Sequence, residues 1–181
     1  LSGIVHGFII KADGTAVVVV AVTNITLGTQ VASTSGTSID FTGIPAGTKR
    51  ITINLVGTSH TGSDVTIFQL GDAGGIETTD YLGGGGNSST GHSNHTTGFG
   101  IAATGGEVTA SIAHGRLVLE LENSSTFTWV GTFLGYRSNE AVMLTSAGSK
   151  SLSAELDRVR ITTVAGTATF DAGVINITYE S

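Results

Sequence analysis

The chain has 181 residues, 39% hydrophobic and only 12% charged, which is enough for one well-filled domain and too apolar for charge-driven disorder. A formal net charge of −6 opposes a phosphate-binding face, so no nucleic-acid partner is expected. The longest apolar run, Ala16 to Val22, is too short for helical membrane insertion, and the absence of cysteine removes disulfides, thiolate metal sites and a cysteine nucleophile.

A start at Leu1, with neither Met nor a leader-like segment, suggests a processed product or an excised domain. Residues 1–34 read as N-terminal strands serving attachment or oligomerisation, and residues 35–181 as a β-sandwich, within a single domain overall. Val17 to Val20 is a run of valines, so a strand there is apolar on both faces. One face needs a cover beyond the chain's own core, which makes Val18 and Val20 candidate subunit contacts. Ala12-Asp13-Gly14 and Gly43-Ile44-Pro45-Ala46-Gly47 read as turns. Arg50 to Leu55 alternates apolar and polar residues, the period of a half-buried strand.

Gly71 to Gly98 departs from that rhythm, with glycine at 74–75 and 83–86 followed by Asn87-Ser88-Ser89-Thr90-Gly91-His92-Ser93-Asn94-His95. Its apolar anchors are Ile76, Tyr81 and Leu82, which predicts a long loop whose second part is mobile unless a partner orders it. On that reading a short link in place of Gly83–Asn94 leaves the melting temperature nearly unchanged. Leu117, Leu119 and Leu121 then mark a strand, and Phe127, Trp129, Phe133 and Tyr136 cluster the scarce aromatics. Ala147-Gly148-Ser149 reads as a turn. Ser149 to Arg158 reads as a strand bulged near Asp157-Arg158, in preference to a short helix with Leu152 and Leu156 on one side. Arg158 and Arg160 alternate with apolar neighbours, so they either protect an edge strand or bridge to an acid of another protomer. Ala165-Gly166-Thr167 and Asp171-Ala172-Gly173 read as turns, the second before a strand over Val174 to Tyr179. The whole pattern, with 28 threonines suited to solvated sheet faces, predicts an all-β sandwich of jelly-roll character. Its expected core is Ile51, Ile53, Leu55, Leu117, Leu119, Leu121, Ile161 and Ile177.

His60, His92, His95 and His114 fall in a span that has no Lys or Arg between Arg50 and Arg116. His92 and His95 offer two imidazoles to a metal, yet no carboxylate lies within five positions, so a solvated loop is preferred and neither metal nor cofactor is expected. Gly-x-Ser-x-Gly is absent, the glycine tract lacks the ending of a phosphate loop, and the acidic spacings fit no calcium loop. No enzymatic activity is expected. As surface groups able to hydrogen-bond or stack on a glycan, the candidates are His60, Tyr81, Asn87, His92, Asn94, His95, Trp129 and Tyr136.

Three stretches resemble a recurring domain of tailed-bacteriophage fibres and related virion proteins. They are Ser35 to Ile53 around Gly43-Ile44-Pro45-Ala46-Gly47, Gln69 to Tyr81 around Gly71-Asp72-Ala73-Gly74-Gly75, and Leu156 to Thr163 followed by Phe170 to Glu180. The resemblance implies a β-sandwich on the outside of a virion, at the C-terminal end of a trimeric fibre. Its implied partners are its own copies, other virion proteins, and a host-surface glycan or protein. A capsid or tail decoration protein of the same fold is the alternative, and a carbohydrate-binding or adhesin module a second one.

Overall fold

The computed structural model describes residues 7–10, 16–19, 25–109 and 111–181. Its regular elements among these are all strands: β1 (Gly7–Ile10), β2 (Ala16–Val19), β3 (Ile25–Leu27), β4 (Val31–Ala32), β5 (Ile39–Thr42), β6 (Arg50–His60), β7 (Thr66–Asp72), β8 (Gly75–Ile76), β9 (Leu82–Asn87), β10 (Gly91–His95), β11 (Phe99–Gly100), β12 (Ala113–Asn123), β13 (Thr128–Arg137), β14 (Val142–Ser151), β15 (Arg158–Thr163) and β16 (Phe170–Glu180). β1 and β2 form a small sheet of their own, in which Val18 lies opposite Phe8; Val20 lies outside the described residues. The remaining strands make two antiparallel sheets. The larger runs β10-β9-β14-β13-β12-β6-β16-β3, with β4 also on β16, and the smaller runs β11-β7-β15-β5, with β8 on β7. The larger sheet therefore takes in residues from before position 35.

The alternation read in the sequence builds the core. Register places Ile53 between Leu117 on one side and Ile177 on the other, all three buried. Phe68, Leu70, Val159 and Ile161 of the smaller sheet are buried in the same cluster, and the rings of Phe68 and Phe133 meet between the sheets at 5.9 Å. Each such side chain contributes about 1.5–3 kcal/mol on burial, and a one-residue slip would expose a whole face. Of the expected core, Leu121 alone is half-buried, packed at the margin of the cluster.

Several local expectations are corrected. The glycine tract is a strand: β9 is hydrogen-bonded to β14 on one side and to β10 on the other. Gly85 faces inward, where a Cβ would collide with the Gly100 carbonyl and come 3.1 Å from that of Ala102. Glycine is required there because another backbone packs where a side chain would stand. Ala147-Gly148-Ser149 is no turn but lies inside β14, with Gly148 opposite Gly131 and Gly83. Beyond Ser151 the chain crosses between sheets over residues 152–157, burying Leu152 and Leu156 as neither helix nor strand. Asp171-Ala172-Gly173 lies within β16 as a bulge, with register shifts on either side of Ala172 and Gly173 at φ 92° against the Gly57 backbone. β15 is not an edge, since β7 and β5 flank it. Its arginines are paired within the chain: Arg160 makes bonds of 2.8 and 2.7 Å to Asp40 on β5, and Arg158 lies 2.6 Å from Asp157.

Candidate functional site

β13 is apolar on both sides. Trp129, Gly131, Phe133 and Gly135 face the core, so Val130, Thr132, Leu134 and Tyr136 face out. Across the pairing with β14, Met143 stands opposite Tyr136 and Thr145 opposite Leu134; on the β12 side the partners are His114 and Arg116. Thr145 lies opposite Gly86, and Gly86 opposite His92; the next row runs Thr132, Ala147, Gly84, Asn94. One outer face, over β13, β14, β9 and β10, thus gathers Tyr136, Leu134, Met143, His92 and Asn94. His92 and Leu134 stand roughly 14 Å apart, three strand spacings.

The exposure of these groups is high for their type: Leu134 is 55% exposed, Met143 44% and Tyr136 41%. Gly84 leaves the sheet bare between β10 and β14, while the His92 ring covers the buried Gly86. A phenol, a thioether and a leucine side chain supply apolar contact. The imidazole, the Asn94 amide and the Arg116 guanidinium supply hydrogen bonds around them. Such a surface suits adhesion to a ring or a chain laid across a rigid sheet.

The other five predicted surface residues, His60, Tyr81, Asn87, His95 and Trp129, are buried. Each has an inward role. His60 Nε2 lies 3.0 Å from Glu107 Oε2 and 3.1 Å from Thr66 Oγ1, while Nδ1 faces the Thr61 carbonyl at 3.3 Å. Burial alone would push its pKa down, but the hydrogen bond and charge of Glu107 outweigh that and raise it. Arg137, also buried, donates to the Gly106 carbonyl and to Glu140 at 3.2 Å, and lies 3.7 Å from Glu107. This ionic cluster ties residues 106–107 to the end of β6, and removing one partner would strand a buried charge.

Tyr81 accepts a hydrogen bond from the Leu70 amide at 2.6 Å and donates to the Glu77 carbonyl at 3.0 Å. Burial pushes its pKa up. The buried Lys150 ammonium sits 5.4 Å from the Tyr81 ring centre and 2.6 Å from Glu77. Burial would raise the Glu77 pKa, but the Lys150 hydrogen bond and the Ser153 bonds prevail and lower it. Asn87 holds the β9–β10 turn, its Oδ1 accepting from the amides and hydroxyls of Ser89 and Thr90. The His95 ring bonds the Ala102 carbonyl at 2.7 Å, so it points into the sandwich while His92 points out. Three positions apart on one strand, the two imidazoles cannot meet at a metal, and no group of three His, Cys, Asp or Glu able to hold one occurs among the described residues.

Sequence reasoning missed Leu134 and Met143, and the glycines between them and His92. A usable signal for the first existed: apolar residues occupy both parities of residues 129–136, so one set had to face outward. No protein-family model matches the chain, and no curated protein matches it in sequence.

Proposed function

We propose that this chain is a virion attachment domain, the distal part of a trimeric tail fibre, which binds a host-surface glycan or protein through the outer face of β13, β14, β9 and β10. The observation that carries the reading is the grouping of Tyr136, Leu134 and Met143 beside His92 and Asn94 on one exposed sheet face. The phage-like stretches fall on β5 to β8, β15 and β16. These strands interlock as β5-β15-β7 in one sheet and β6-β16 in the other. The chain crosses between the sheets from β5 to β6, from β6 to β7 and from β15 to β16, in keeping with a jelly-roll wrap, while β7 and β8 stay together in the smaller sheet. The proposed binding face lies apart from them, in residues 82–151, where a sequence can change to suit a receptor without disturbing that scaffold.

Exposed Ile25 and Leu27 on the edge strand β3 favour a second reading, a capsid or tail decoration protein clamped to its neighbours. Particles carrying Tyr136→Ala with Leu134→Lys decide between them. Attachment requires host adsorption to fall sharply at an unchanged melting temperature. Normal adsorption by that variant, with many copies per particle, would establish decoration instead.

A further inference from the structure

The outer face of the smaller sheet lies on the far side of the sandwich from Tyr136. Leu70, Val159 and Ile161 point into the core, so Gln69, Arg158 and Arg160 point out, and register sets Arg160 between Asp40 and Gln69. Two adjoining cavities of about 350 and 440 Å³ lie over this face and share Thr78 and Arg160. Together they make one groove along β15. Its floor from Arg158 to Thr162 is roughly 13 Å long at the rise of a strand, more than one sugar ring covers.

The groove carries hydrogen-bonding groups that the chain leaves unused. Gln69 is only 6% exposed, and its Nε2 donates to the Thr97 carbonyl at 2.9 Å. Its Oε1 accepts no hydrogen bond from the described residues, yet it is not among the atoms sealed from solvent. An acceptor so deep in the wall and open only to the groove calls for a donor from outside. Arg160 spends Nε and Nη2 on Asp40 at 2.8 and 2.7 Å, and Arg158 spends the same atoms on Asp157 at 2.6 and 3.0 Å. Both Nη1 groups stay available as donors, beside the hydroxyls of Thr42 and Thr78.

Charge and lining select the ligand class. Each arginine is already held by a carboxylate through two bonds, so a phosphate or an acidic sugar would have to break a pair. Among the described lining residues Ile76 and Val164 are the only large apolar side chains, which excludes an acyl chain. A peptide strand finds no ladder to join in this groove, because β15 is paired with β5 and β7 on its two sides. Sugar hydroxyls donate and accept at once, so they match the Nη1 donors, the Gln69 acceptor and the threonine hydroxyls without displacing either aspartate. We propose that this groove binds a neutral, unbranched glycan of a few sugars. The inference stands apart from the attachment reading, whose face is on the other sheet.

Heteronuclear NMR on the full chain tests it, with neutral tetrasaccharides of the glucose, mannose and N-acetylglucosamine series as probes and tetragalacturonate as the acidic control. At least one neutral tetrasaccharide should shift the Gln69 side-chain amide and the Arg160 Nε–H, and tetragalacturonate should shift neither. Gln69→Leu removes the acceptor and should weaken that binding about fivefold, the worth of one neutral hydrogen bond. Thr78→Glu changes an exposed residue and sets a longer side chain where the two halves of the groove meet. It should abolish the Arg160 shift even if Gln69→Leu fails to fold. No shift with any neutral tetrasaccharide, equal shifts with tetragalacturonate, or shifts that survive Thr78→Glu would each overturn the proposal. If the groove fails while Tyr136→Ala with Leu134→Lys still abolishes host adsorption, the attachment face stands without it. If the shifts appear while that variant adsorbs normally, the groove stands and the attachment face falls.

Discussion

β12 and β9 belong to one sheet, with β13 and β14 between them, and they are strands for opposite reasons. β12 carries Leu117 and Leu119 inward at full burial, and the hydrophobic gain of those side chains holds it in register. β9 is Leu82 followed by four glycines and Asn87, with almost nothing to bury. Its glycines forgo about 0.5–1 kcal/mol each relative to alanine. Ladder hydrogen bonds on both flanks and the close approach of Gly100 and Ala102 to Gly85 offset that loss. A strand thus forms either because its side chains fill a core or because their absence lets another backbone in.

The largest expected effect comes from removing the second kind of strand altogether. Replacing Gly83–Asn94 by a short Gly-Ser link takes away most of β9 and β10 and uncovers buried Ile101, Ala102 and Ala103. The melting temperature should therefore fall by many degrees, contrary to the loop expectation; an unchanged scanning-calorimetry trace would return the tract to the status of a loop. Point changes sharpen the contrast. Leu119→Ala should cost about 3 kcal/mol in urea denaturation through its cavity. Gly85→Val improves intrinsic strand propensity, yet should cost about 2 kcal/mol because its Cβ has no room beside Gly100. Stabilisation by Gly85→Val would refute the close-approach account of β9.

The smallest effect lies at the far end of β6, in the ionic cluster around His60. The His60 pKa is raised in the fold by Glu107, against burial, with Asp64, Arg137 and Glu140 nearby and the Phe170 ring edge-on at 6.1 Å. A raised value means that the folded state favours the protonated ring. Its stabilisation is therefore complete below the unfolded value of about 6.5 and is lost as pH rises through the folded one. Wild-type stability should decline across that window, and His60→Gln should flatten the decline. An identical pH slope in the variant would show that His60 does not titrate there.

Parts of the candidate site were legible. Trp129 and Tyr136 stand an odd number of positions apart in one strand, as do His92 and His95 in another, so neither pair could share a face. Parity excludes a joint aromatic platform and an imidazole pair only once both segments are strands; read as a loop, residues 92–95 carried no such restriction. What parity could not say is which member faces out. That depends on the smaller sheet and on the segment after β11, which bury Trp129 and His95 and leave Tyr136 and His92 in solvent. Glu107 and Arg137 gave no local sign of their meeting with His60, because only the fold brings together residues so distant along the chain.

The sequence by itself determined the all-β class, the positions of β6, β12 and β16, and the inward identity of Ile51, Ile53, Leu117, Leu119 and Ile177. Period two is a local property, legible without knowing what lies opposite. The tertiary structure alone decided that the glycine tract is a strand, that β15 is internal, and that Asp171-Ala172-Gly173 bulges within β16. Each of these depends on a backbone or a sheet arriving from elsewhere in the chain, and such an approach leaves no period in the residues that receive it.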